Sequence, residues 1–230
     1  EDFYKTAETF QELMKEYELN IFDQVVAIVV QPGVEERDAE SVRYNRENAA
    51  ELTASLLKYD PMVFEGHSSD YQSKKHLRQM VEDGIAILKV GPALTFAYRE
   101  ALFALSAIEN QLIEQKEDRG NFIEVLRDEM VSDPSRWNKY YFGTEQELEI
   151  KRLYSFSDRA RYYLPRENVS NAIEKLMSNL KGELPLNLIS QFAPIQYRKI
   201  VENEIENSAQ SIIEDWIGVT IDDYLHATIR

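Results

Sequence analysis

The chain reads as an α/β protein: its first half repeats a strand–helix unit that builds a parallel sheet, and its second half is helical. Three observations carry this reading. Short, mostly apolar runs bounded by glycine or proline recur at residues 25–30, 62–65 and 85–90, as expected of strands covered on both faces. Amphipathic helical patterns separate them, and polar residues gather after each run rather than before it. His67, Ser68, Ser69, Asp70 and Tyr71 follow the second run, and Gly91, Pro92 and Thr95 follow the third. In parallel α/β architectures that carboxyl-end rim is where ligands sit.

Each element has its own signal. Phe3, Ala7, Phe10, Leu13, Met14 and Tyr17 form one stripe of an amphipathic helix. The pattern is already running at EDFYKTAETF, with no initiator Met, so further chain is expected upstream of Glu1. The run 25–30 is β-branched apart from Ala27 and stops at Gln31-Pro32-Gly33, a strand followed by a turn. Ala49, Leu52, Leu56 and Leu57 share a helical face over residues 45–58, which Tyr59-Asp60-Pro61 ends. Ser73 suits the cap of a helix running to Asp83, and Gly84 suits its left-handed stop. The strands are thus expected near 25–31, 62–66 and 85–90, with right-handed crossovers making them parallel. Three strands cannot close a barrel of eight.

After Asn110 the strand pattern stops. Residues 111–120 read as a charged link, Asn121 as the cap of a helix FIEVLRDEMV, and Asp133-Pro134 as its end. Thr144 with Glu147 forms a capping-box pattern. Residues 166–181 place Val169, Ile173, Leu176, Met177 and Leu180 on one face ahead of Gly182, residues 185–192 form a short apolar helix, and residues 208–224 a last one. The expected organisation is a β/α portion at 1–110, part of a parallel sheet or barrel, and a helical extension at 111–230, packed on it.

Composition narrows the function. A content of 43% hydrophobic and 11% aromatic residues supports a folded core. Forty-one acids against 26 bases give a net charge of −15, which phosphate backbones and anionic membrane surfaces repel, so no nucleic-acid or membrane role is expected. A small phosphorylated ligand could still bind a local basic pocket. Without cysteine there is no disulfide, thiolate zinc site or cysteine nucleophile, and a reducing cytoplasm fits. The apolar run 25–30 is far too short to span a bilayer.

The chain has only three histidines, His67, His76 and His226, and no pair has the spacing that sets two on one helical face. His67 alone falls on the rim and is the only metal-ligand candidate. Glu65, His67 and Lys89 are the catalytic candidates should the rim be active. No phosphate-binding G-x-x-x-x-G-K-[ST] motif occurs, so these residues give no support to a kinase. The segment YSFSDRARYYLP joins charge and aromatic surface in Arg159, Arg161, Tyr162 and Tyr163, a composition suited to phosphates and interfaces. The simpler reading weighs more: the tyrosines pack and Asp158 pairs with an arginine.

The runs AIVVQPGVE, FEGHSSDYQ, LRQMVEDGIAILKVGPALTFAYREALFAL, YSFSDRARYYLP and LPLNLISQFAP together resemble the Z-type accessory subunit of class II tagatose-1,6-bisphosphate aldolase, over nearly the whole chain. The resemblance implies an aldolase-type (β/α)8 TIM barrel with a helical extension, these strands being its last three. It implies a non-catalytic subunit that stabilises and activates a zinc-dependent partner in galactitol and N-acetylgalactosamine breakdown. The expected partner is therefore the catalytic aldolase subunit, in a cytoplasmic oligomer, with zinc in that partner and no cofactor here. An older label for the family is tagatose-6-phosphate kinase.

Departures from the catalytic class II enzymes agree with a helper. His67 stands where they keep a metal histidine, but Ser68, Ser69 and Asp70 replace the glycines and serine of their phosphate loop. Gly91 and Ala93 stand where they present asparagine and aspartate, and Gln31 where they have a further histidine. Gln31, Ser68, Ser69, Asp70, Arg159 and Arg161 are the residues left to bind a ligand such as a phosphorylated ketose. The alternatives are a sugar-phosphate lyase or isomerase completed by upstream residues, and a binding module formed by residues 111–230 alone.

Overall fold

β-Branched and aromatic residues between glycine and proline punctuation produce the strands of this protein, and they are shorter than the apolar runs that contain them. A computed structural model describes residues 2–19, 24–59 and 62–229. The helix stop at Asp60-Pro61 and the chain's opening at Glu1 lie outside the described residues. Two compact units emerge, Glu1–Glu36 with Glu40–Gly91 and Asp222–Arg230, and Arg37–Ala39 with Pro92–Ile221. The division after Gly91 differs from the expected boundary near residue 110.

The first unit runs α1 (Asp2–Glu16), β1 (Ala27–Val30), β2 (Glu35–Glu36), β3 (Ser41–Val42), α2 (Arg46–Ser55) with a 3-10 turn at Leu56–Tyr59, β4 (Val63–Gly66), α3 (Lys74–Glu82) and β5 (Ile87–Leu88). β1, β4 and β5 form a parallel sheet in that order. The register sets Ala27 opposite Val63, Val30 opposite Gly66, and Gly66 opposite Leu88. The small antiparallel pair β2–β3 was not foreseen, because Glu35-Glu36 carries no strand pattern.

β5 is shorter than the run 85–90 for a definable reason. Ile85 is spent on closing α3: its N–H donates to Met80 O at 3.0 Å while Gly84 N–H donates to Val81 O at 3.1 Å. Gly84 has φ +92°, so this is a Schellman stop built on a left-handed glycine. The Ile85 side chain then enters a core with Phe64, Leu77 and Met80, all fully buried. Phe3 from α1 meets Phe64 edge-on at 5.3 Å between ring centres. Tyr224 and Ala227, near the end of α10 (Ala209–Thr228), also pack in this core.

The second unit is built from α4 (Pro92–Leu112), α5 (Phe122–Ser132), α6 (Glu145–Tyr154), α7 (Glu167–Asn179), α8 (Leu186–Phe192), α9 (Pro194–Val201) and most of α10. α4 packs on α5, α7 and α8, burying Leu102, Leu105 and Ile108 with Phe122, Leu126 and Leu176. That packing is why α4 belongs to this unit and why the charged link begins only after Leu112. Thr144 and Glu147 form the expected capping box, but Asn121 does not cap α5 with its side chain. Its backbone is left-handed at φ 51°, and its side-chain amide donates instead to Lys116 O at 2.9 Å. α9, opened by Pro194, was not anticipated. Among the described residues no helix is long and apolar enough to cross a membrane.

A polar network joins the start of α2 to the end of α3. Tyr44 Oη donates to Asp83 Oδ2 at 2.8 Å, and Arg46 Nη2 reaches Asp83 Oδ1 at 2.7 Å and Glu82 Oε2 at 2.9 Å. Burial alone would raise the Asp83 carboxyl, but hydrogen bonds from Arg46 and Tyr44 and the Arg46 charge outweigh it and hold the group below its ordinary 3.8. A depressed carboxylate stabilises the fold above that value, and its contribution is lost as the pH falls through the folded-state pKa. Urea midpoints of the full-length protein, measured from about pH 5 to about pH 3, are expected to fall less steeply in Arg46→Gln than in the wild type.

Candidate functional site

The parallel register places the residues that follow the three strands side by side. His67 N–H donates to Val30 O at 3.0 Å, and Lys89 N–H donates to Gly66 O at 3.0 Å, so the ladders continue one step past the strands. Gln31, His67 and Lys89 thereby stand beyond neighbouring carboxyl ends, Gln31 and Lys89 because β1 and β5 stop short of the expected strand ends. Gly66 makes this approach possible, because a Cβ there would lie 2.6 Å from Ile85 Cγ2.

Glu65, His67 and Lys89 come together. His67 Nε2 is 3.0 Å from Glu65 Oε1 and 3.5 Å from Lys89 Nζ. One imidazole nitrogen cannot donate a proton to the carboxylate and accept one from the ammonium at the same time. The shorter contact to Glu65 fixes Nε2 as a donor, leaving Lys89 at the outer limit of hydrogen-bond reach. The three groups could relay a proton. With Nε2 donating to Glu65 the lone pair is on His67 Nδ1, so the cluster offers one imidazole where a zinc site takes several ligands. Among the described residues no group of three or more His, Cys, Asp or Glu could hold a metal.

The loop after β4 is largely spent on its own architecture. Ser68 and Tyr71 both have positive φ, 58° and 60°. Ser69 Oγ donates to Lys89 O at 2.8 Å, and Tyr224 Oη donates to Ser69 O at 3.0 Å. Burial pushes the Tyr224 hydroxyl pKa up, which keeps it a donor at neutral pH. Asp70, 3% exposed, accepts the Gly91 N–H at 2.9 Å. Of the ligand candidates on this rim, Ser69 and Asp70 are therefore turned inward, and Gln31 and Ser68 stay accessible, joined at 3.1 Å through Gln31 Nε2. His76 Nδ1 lies 2.9 Å from Oγ of Ser73, the cap of α3, and His226 is exposed.

Arg159 and Arg161 belong to the helical unit. Arg159 stacks its guanidinium on Tyr140, 3.5 Å from the ring centre. Arg161 donates to Asp158 O at 2.7 Å and to the Tyr162 hydroxyl at 2.9 Å. Tyr163 is fully buried, while Tyr162 is 40% exposed, so only one of the two tyrosines packs as expected. Asp158 does pair with an arginine: its carboxylate is 3.3 Å from Arg99 and accepts from Thr95 Oγ1 at 3.1 Å. Burial nonetheless pushes the Asp158 carboxyl above its usual range, against the Arg99 charge and the Thr95 bond. Sequence reasoning missed Tyr224, which reaches the loop from 155 residues downstream and carries no local signal.

These features define an α/β protein, mostly helical, with a small parallel sheet whose polar rim follows the strand ends. Residues 1–229 match the family model described as D-tagatose-1,6-bisphosphate aldolase subunit GatZ/KbaZ-like, and the chain belongs to that family. It is 43% identical over 218 residues to the D-tagatose-1,6-bisphosphate aldolase subunit GatZ of Salmonella paratyphi B, covering 94% of this chain and 51% of that protein. The same-named protein of Salmonella enteritidis PT4 is 42% identical over 219 residues, with the same coverage. The crystal structure of a probable tagatose 6 phosphate kinase from Sinorhizobium meliloti 1021 superposes with a TM-score of 0.90 at 38% identity, covering 97% of this chain and 59% of that one. The chain thus spans about half the length of the curated relatives.

The close approach at Gly66 is directly testable. Gly66→Ala is expected to destabilise the protein by about 1–3 kcal/mol, read as a lowered urea midpoint, because Ile85 must move within a packed core.

Proposed function

We propose that this chain is part of an accessory subunit that stabilises and activates a zinc-dependent class II tagatose-1,6-bisphosphate aldolase partner, without lyase activity of its own. The observation that carries the reading is the state of the rim. The rim offers one imidazole, with its Nε2 engaged by Glu65 beside Lys89, and Asp70 is buried against the Gly91 amide where an enzyme would need free backbone donors. Family membership and the printed names of the relatives support the aldolase connection. The kinase in the name of the structural relative finds no phosphate-binding motif among these residues. The reading extends to a cytoplasmic hetero-oligomer serving galactitol or N-acetylgalactosamine breakdown.

The same reading takes the sheet as part of an aldolase-type (β/α)8 barrel whose other strands come from polypeptide outside this chain. β1 pairs only with β4 in the described sheet, and Val26 and Val29 are 69% and 54% exposed. A cavity of about 560 Å³ opens there, lined by Phe10, Leu13, Val25, Ile28 and Val29 among others. An uncovered edge and an apolar groove are what a further strand and helix would fill. The half-length coverage of the relatives supports this as well.

A second reading has one specific observation in its favour, the convergence of Glu65, His67 and Lys89. It makes the rim a sugar-phosphate lyase or isomerase site in which His67 moves a proton.

The two readings part in one assay. Full-length protein alone, given zinc and tagatose 1,6-bisphosphate, is expected to release no triose phosphate, and to raise the rate when the catalytic subunit is added. Robust turnover alone would overturn the accessory reading. His67→Ala is expected to leave the stimulation of the partner within about twofold of wild type, since that change is well below one factor of ten in free-energy terms; the lyase or isomerase reading requires its loss.

A further inference from the structure

Three guanidinium groups of the helical unit gather around one exposed tyrosine. The Cζ atoms of Arg136, Arg159 and Arg161 lie 5.9, 6.0 and 4.6 Å from the centre of the Tyr162 ring. None is held by a carboxylate. Among the described residues no ion pair involves any of the three, although the Arg161 charge still acts on the Asp158 carboxyl without contact. The Asp158 carboxylate faces Arg99, and Asp133 is bonded by Arg166; Asp158 touches Arg161 only through its backbone carbonyl.

This is an unusual use of charge in a chain with 41 acids and 26 bases. Like charges gathered around one ring repel. Stacking holds the cluster instead. Arg159 lies on Tyr140 at 3.5 Å with its Nε buried and without a hydrogen-bond partner. Arg161 is fixed from two sides by Asp158 O and the Tyr162 hydroxyl. A fork immobilised by aromatic contacts loses little freedom when it takes up an anion, and guanidinium matches phosphate oxygens in a bidentate fashion. All three guanidinium carbons lie within 6.0 Å of one ring centre, which makes one local cationic patch suited to a small anion.

We propose that Arg136, Arg159 and Arg161, arrayed around Tyr162, bind the dianionic phosphate group of a small molecule. The site concerns the helical unit alone and stands whether or not the accessory-subunit reading holds.

The test is calorimetric titration of the full-length protein at constant ionic strength with two probes, inorganic phosphate and glycerol 3-phosphate. Saturable binding is expected, weakened about tenfold or more in Arg136→Gln and in Arg159→Gln, as befits loss of a charge-assisted hydrogen bond. The Arg136 side chain is exposed and makes no hydrogen bond among the described residues, so an unchanged urea midpoint in Arg136→Gln separates lost binding from lost folding. Tighter binding of the ester assigns the site to phosphorylated metabolites; equal binding assigns it to free phosphate, and either outcome supports the proposal. No saturable binding of either probe, or binding indifferent to both substitutions, would overturn it.

Discussion

Parallel pairing of β1, β4 and β5 is the constraint on which the rim depends. Because Val30 stands opposite Gly66 and Gly66 opposite Leu88, the next residue of each chain segment is delivered to the same edge of the sheet. One step of slippage would send the rim side chains to opposite faces. Glycine at the centre of this register is therefore a packing requirement, set by Ile85 at the foot of the neighbouring strand, and it links the core of the sheet directly to the position of Glu65 and His67.

The loop that follows β4 shows how such a rim can be stable and yet chemically quiet. Its polar groups face one another: Ser69 bonds Lys89 O, Tyr224 bonds Ser69 O, and Asp70 receives the Gly91 amide. Buried polar groups demand partners, and here the fold supplies them from within, so fewer are offered to a ligand. Ser68, beside Gln31, is the part of the loop still facing outward. The helical unit treats Arg136 and Arg159 differently, setting them against the Tyr162 and Tyr140 rings with no ion pair among the described residues.

Much of this was legible in the sequence. Ser73 caps α3 and Gly84 ends it, Thr144 and Glu147 form their box, and the apolar runs lie where β1, β4 and β5 form, because each signal is local. What stayed hidden depends on partners distant in the chain. Tyr224, the inward turn of Ser69 and Asp70, and the transfer of α4 to the helical unit are set by packing that no window of sequence contains. Asn121 misled because its amide found Lys116 O rather than the helix start, a competition that short polar side chains allow in any turn. Arg159 and Arg161 were visible by composition. Arg136 was not, since only the fold brings it to Tyr162.

The buried pair of Arg99 and Asp158, with side chains 3% and 1% exposed, has an evolutionary corollary. Removing either partner strands the other charge away from water, a loss of several kcal/mol, whereas replacing both by apolar residues of similar size is often tolerated. The two positions are thus bound to change together or stay as they are. Thr95, which bonds the same carboxylate, would be released to drift only once that joint exchange had happened, so the order of substitutions available to this helical unit is itself written into its interior.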